Sequence, residues 1–194
     1  MRSILNVVSL CSIFKSMVSK GKAKKIDDRH KQFLLQKGAR DVVEIPASSV
    51  VVSEWVLMKC KFGCDGYGQC LTCPPHSPSP KQMREILADY NRALLVHFVR
   101  ERGKRWPSLR KIVGAAERAL FLDGFERAWA LAAGPCYLCQ SCTMDVCAHP
   151  ELARPSMEAC GIDVYSTAHA FGLPLKVVTS RDQPIDLYCL ILVD

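Results

Sequence analysis

The chain has 194 residues, 49% of them hydrophobic, eleven cysteines and a formal net charge of +7. That length suits one domain with its own core, and no apolar run is long enough to cross a bilayer as a helix. Residues 1–37 carry nine Lys/Arg against Asp27 and Asp28, whereas the remaining 157 residues hold seventeen charges of each sign. The body is therefore neutral, which argues against a nucleic-acid-binding face on it.

Residues 4–18, ILNVVSLCSIFKSMV, are apolar but short, are interrupted by Lys15 and lack an obvious small-residue cleavage site. Met17 is an alternative start. Residues 1–38 read as a basic, flexible leader able to touch RNA or anionic lipid, and 39–194 as one cysteine-rich α/β domain. A short helix is expected over about 27–37. The β-branched stretches VVEIP and VVVSEWVLM predict extended chain over roughly 41–58. A loop over 60–78 follows, rich in glycine and cysteine.

Ser79-Pro80 opens a helix, with serine as cap and proline at its first position. Residues 93–99, ALLVHFV, read as a central strand covered on both faces, and His97 within it as a core histidine. A long helix is expected from Pro107 to about 131, with Asp123-Gly124 as a break. Ser156 caps a further helix, which ends at Gly172 before Pro174. Strands at 175–179 and 187–193, joined by Arg181-Asp182-Gln183-Pro184, close the chain as a hairpin. The fold class is α/β: a single domain, with a mixed β-sheet flanked by helices and two cysteine-rich metal-binding loops. No internal repeat is present.

The segment GPCYLCQSCTMDVCAHP, residues 134–150, carries Cys136, Cys139, Cys142 and Cys147. Two-residue gaps curl a chain around a small object and aim successive thiolates at one centre. The run approaches the bacterial iron–sulfur spacing, which has three residues before its last cysteine and a proline directly after it. Here four residues intervene and Pro150 comes later. The upstream group, KCKFGCDGYGQCLTCPPHSP, contains Cys60, Cys64, Cys70 and Cys73. Gly63, Gly66 and Gly68 permit positive φ and close approach of backbone N–H groups to sulfide. The radical-SAM spacing is excluded, because Tyr67 stands where that motif needs cysteine.

Clustered cysteines separated by long apolar elements point to metal rather than disulfides, and to a reducing, cytoplasmic setting. Cys11 and Cys189 stand alone and read as small buried apolar residues. Structural zinc is the alternative to iron–sulfur. Zinc sites pair Cys-x2-Cys knuckles about 12–20 residues apart, whereas Cys70/Cys73 and Cys136/Cys139 lie far apart in sequence. One 4Fe–4S cluster is expected on Cys136, Cys139, Cys142 and Cys147. A second would use Cys60, Cys64 and Cys73, with Cys70 or Cys160 as fourth ligand; Cys147 could instead serve the upstream group.

Taken together, KCKFGCDGYG, CPPHSP, GPCYLCQSC and AHPELARPSMEACGIDV resemble the predicted metal-binding family of domain-of-unknown-function 2284, over roughly residues 40–194. The resemblance implies metal binding and an anaerobic setting, and no reaction. Its cysteine positions match Cys60, Cys64, Cys73, Cys136, Cys139, Cys142 and Cys147; Cys70 and Cys160 are less typical of the pattern.

Three functions fit. The first is an electron carrier or redox accessory with a partner protein. The second is an iron–sulfur enzyme or maturation factor with an open cluster site. The third is a structural zinc protein acting as an interaction module. His76, His149 and Arg154 read as surface or supporting residues. No catalytic triad, phosphate loop or dinucleotide fingerprint is present, so no catalytic residue is assigned.

Overall fold

The computed structural model describes residues 25–101, 103 and 107–194. The expectations for Cys11, Met17 and the segment 4–18 fall outside the described residues. Within them, helix α1 (Asp28–Gln36) precedes strand β1 (Asp41–Pro46), helix α2 (Glu54–Gly63) and helix α3 (Pro80–Ala88). Strand β2 (Arg92–Arg100), helix α4 (Leu109–Leu122), strand β3 (Trp129–Leu131), helix α5 (Val164–Ala170) and strand β4 (Ile185–Val193) follow.

The sheet order is β1-β2-β4-β3. All three ladders are antiparallel, and among the described residues parallel pairing is confined to an isolated bridge between Ala132 and Ser156. Strand β2 alternates Leu94, Val96 and Phe98 toward one face with Ala93 and Leu95 toward the other. Its partner β4 alternates Cys189, Ile191 and Val193 with Tyr188, Leu190 and Leu192. Helices α1 and α4 cover the first face, and α3 and α5 the second. The result is three layers, with a sheet buried on both sides. Each fully buried Leu or Ile contributes about 1.5–3 kcal/mol to holding them together.

His97 sits inside β2 and is fully buried, as expected of a core residue. Its Nδ1 lies 2.8 Å from Asp41 Oδ2 and its Nε2 2.9 Å from Asp186 Oδ1. The ring stacks on Tyr188 at 4.7 Å. It thus bolts β1 to β4 across the central strand.

Several expectations need correction. Residues 25–38 belong to the body: Ile26, His30 and Leu34 are buried, and His30 Nε2 meets Asp123 Oδ2 at 2.7 Å. An amphipathic helix with a capped N-terminus finds an apolar partner in α4 despite its basic neighbours. The stretch after Ser53 is helical, because Glu54, Leu57, Met58 and Lys59 are good helix formers and the β-branched residues lie mostly before it. Cys60 therefore stands on a helix rather than in a loop. The long helix stops at Leu122, where Gly124 takes φ 83°, and Trp129–Leu131 pairs with β4 instead. The helix expected from Ser156 is split by Gly161, whose φ is 76°; α5 starts anew with Asp163 accepting from Ser166 N at 3.0 Å. No terminal hairpin forms. Residues 175–179 are not a strand, and the edge of β4 opposite β2 is taken at Leu190–Leu192 by β3.

The serine cap expected at Ser79 is present and is part of a capping box: its hydroxyl accepts from Gln82 N, and Gln82 Oε1 accepts from Ser79 N. It fixes where the upstream cysteine loop ends and α3 begins.

Candidate metal centre

Both cysteine groups lie at one end of the sheet. Helix α2 carries Cys60, Cys64 caps its C-terminus, and the loop into α3 brings Cys70 and Cys73. The downstream run leaves β3 through Ala132-Ala133-Gly134-Pro135. Arg110, from the first turn of α4, holds that exit. Its Nη1 donates to Pro135 O at 2.7 Å, its Nη2 to Gly134 O at 2.7 Å and its Nε to Arg154 O at 3.0 Å. Arg154 in turn makes a two-point contact with Glu117, at 2.5 and 2.7 Å, and lies 4.5 Å over the Trp129 ring. The run 136–153 is therefore clamped at both ends by buried arginines.

The ten described cysteines are all free. Cys64, Cys70, Cys136, Cys139, Cys142 and Cys147 line one cavity of about 580 Å³. Cys60, Cys64 and Cys73 line a second of about 150 Å³, so Cys64 stands on the wall of both. Among the described residues, no three His, Cys, Asp or Glu side chains meet closely enough to hold a single ion. The thiols surround space instead.

Cys70 faces the downstream group, with its Sγ 3.8 Å from Cys136 O. Cys160 is fully buried in the apolar cluster with Met157, Ile162 and Leu190, and lines neither cavity. Burial pushes its thiol up to about 12. Cys189 is likewise a core residue.

Burial, and then the neighbouring Cys73, Cys136 and Cys142, push Cys70 up to about 11. Burial likewise raises Cys60, followed by the charges of Cys64, Glu158 and Cys73. Cys73 is raised by burial, with the Arg110 guanidinium opposing. Cys142 differs: backbone N–H groups of Leu71 and Met144 donate to it and lower its pKa. Met144 reaches that position with φ 62°, a conformation that costs a non-glycine residue energy and so marks a constrained turn. Of the three upstream glycines, Gly68 takes a positive φ (71°); Gly63 and Gly66 do not.

Crowded soft donors suit a soft metal or an iron–sulfur centre. Cys60, Cys64 and Cys73 would hold it upstream, and Cys136, Cys139, Cys142 and Cys147 downstream. His76 and His149 line neither cavity, while Arg154 supports the run from behind. Sequence reading missed Arg110, Met144 and Glu158. Only Glu158 had a visible signal: an acidic residue within the apolar stretch SMEACGI.

A layered α/β domain that gathers thiols from two loops around adjoining cavities defines a cysteine-rich protein of the metal-binding class. The chain matches the family model described as "Predicted metal-binding protein (DUF2284)" over residues 43–193, and it belongs to that family. No curated protein and no solved structure matches it. No described helix is long and apolar enough to cross a membrane.

Proposed function

We propose that the protein holds iron–sulfur clusters and works in the cytoplasm as an electron-transfer or redox-accessory protein for an anaerobic partner enzyme. One cluster would sit on Cys136, Cys139, Cys142 and Cys147, and a second on Cys60, Cys64 and Cys73. The observation that carries the reading is the gathering of six thiols from two distant loops around one cavity of about 580 Å³. That space is many times the roughly 30 Å³ share of a liquid water molecule. A zinc site would ask four donors to meet at one point.

Bound clusters supply one-electron transfer. The chain supplies the rest. Leu71 and Met144 stabilise the Cys142 thiolate through their N–H groups. The shared wall at Cys64 keeps the two centres adjacent. Tyr137 and Val146, exposed beside the run, offer an apolar rim for transient docking.

A second reading, an enzyme or maturation factor with an open cluster site, is favoured by a largely apolar pocket of about 380 Å³. Trp55, Val56 and Ile162 line it together with Cys60 and Cys64. Anaerobic purification followed by iron and acid-labile sulfide analysis tests the first reading. Brown protein with sulfide supports it. Colourless protein with stoichiometric zinc and no sulfide overturns it.

A further inference from the structure

Glu158 is an acidic residue placed where the chain does little for it. It opens the 3-10 turn Glu158–Cys160, between the buried residues Met157 and Ala159. Its Oε2 is shielded from solvent and has no hydrogen-bond partner. Arg110 lies close enough to act on it, but the guanidinium nitrogens are engaged with the carbonyls of Gly134, Pro135 and Arg154. Ser156 and the residue's own backbone N–H serve the carboxyl and still leave Oε2 bare. A shielded carboxylate oxygen without a donor is costly, and native folds rarely keep one without a partner such as an ion or a water.

The surroundings name the partner. Glu158 lines the same cavity of about 150 Å³ as Cys60, Cys64 and Cys73. Neither Cys70 nor Cys160 lines that cavity. Cys70 faces Cys136, and Cys160 is packed in the apolar core. We propose that Glu158 supplies the fourth, oxygen donor of the upstream centre, completing Cys60, Cys64 and Cys73. The inference rests on the iron–sulfur reading, because among the described residues these side chains surround a space rather than meet at one ion.

Oxygen is a harder and weaker partner than thiolate for iron in a sulfur environment. The Glu158 position is therefore the exchangeable one. Glu158 and Cys60 also line the apolar pocket of about 380 Å³, on the side of Trp55, Val56 and Leu187. A small, mainly apolar molecule entering there reaches the Glu158 position and not the downstream run.

The test uses the full chain loaded anaerobically with ferrous iron and sulfide, as wild type, E158Q and E158C. Iron content, sulfide content and Mössbauer spectra are compared. In E158Q the iron of one centre is lost or its spectrum changes, while the downstream spectrum is retained and reports that the chain is folded. E158C regains full iron with an all-thiolate upstream spectrum. Wild-type iron content and unchanged spectra in E158Q overturn the proposal. Should E158Q lose both centres, E158C decides: an all-thiolate upstream spectrum supports the proposal and failure to regain upstream iron overturns it. If wild type takes up no iron and sulfide, the iron–sulfur reading fails and the Glu158 assignment with it, whereas iron-loaded wild type beside an unchanged E158Q overturns the Glu158 assignment alone.

Discussion

The Sγ of Cys70 lies 3.8 Å from the carbonyl oxygen of Cys136, so the upstream cysteine loop closes onto the start of the downstream run. The two groups are thus parts of one end of the molecule, and a change in either is felt by the other.

Cys139 is flanked by Cys136, Cys142 and Cys147, whose charges raise its thiol after burial. Cys139→Ala should remove the downstream centre, about half of the iron if two 4Fe–4S clusters are present. Because metal binding orders such loops, protease cleavage within 136–150 should increase. Metal analysis and limited proteolysis check both. Unchanged metal with unchanged cleavage would remove Cys139 from the ligand set.

Arg110 serves three carbonyls from a buried position, with 6% of its surface exposed. Arg110→Ala strands those acceptors and opens the exit of β3, at a cost of about 3–5 kcal/mol. Arg110→Lys should recover only part of this, since an ammonium cannot reproduce the planar fork. Urea unfolding of the variants measures the loss. A change below about 1 kcal/mol for the alanine variant would show that the clamp is dispensable.

Gly161 combines φ 76° with a position where a Cβ would lie 2.6 Å from Pro80 Cγ. Gly161→Ala should therefore cost about 2–4 kcal/mol, from backbone strain and a clash with the first residue of α3. Gly38→Ala is the control. Its φ is 98° but nothing lies within 4 Å, so only the backbone cost of about 1–2 kcal/mol remains. Equal midpoints for the two variants in thermal unfolding would contradict the assigned contact.

Burial raises the Cys160 thiol from its usual value to about 12. The folded state then holds a proton that the unfolded chain releases once pH passes about 8.5. The stabilisation is complete below that value and is lost as pH rises toward 12. Cys189 adds in the same direction, again through burial. Metal-free protein should lose on the order of 1–2 kcal/mol between pH 8 and pH 10, and Cys160→Ala should flatten the slope. Denaturant unfolding at several pH values reads it directly. An equal slope in the variant would assign the effect elsewhere.

What the sequence by itself determined is what local chemistry can carry. Two-residue cysteine gaps mark the downstream run. Serine and proline at 79 and 80 write a helix start. An unbroken apolar stretch at 93–99 writes a strand covered on both sides. These signals act within a few residues of one another, so no tertiary contact is needed to read them. Other features were decided by partners distant in sequence. The residues 128–133 have no β-branched side chain, yet Trp129–Leu131 become a strand because the edge of β4 is open beside them. The residues 175–179 have the pattern of a strand and are none, while the edge of β4 at Leu190–Leu192 goes to the distant Trp129–Leu131. Four upstream cysteines look alike in the sequence. Only the closed fold turns Cys70 toward Cys136, buries Cys160 among apolar residues and sets Glu158 beside Cys60, Cys64 and Cys73. A donor set is a statement about positions in space, and the chain acquires those positions only when Arg110 and Arg154 pin its loops to helix α4.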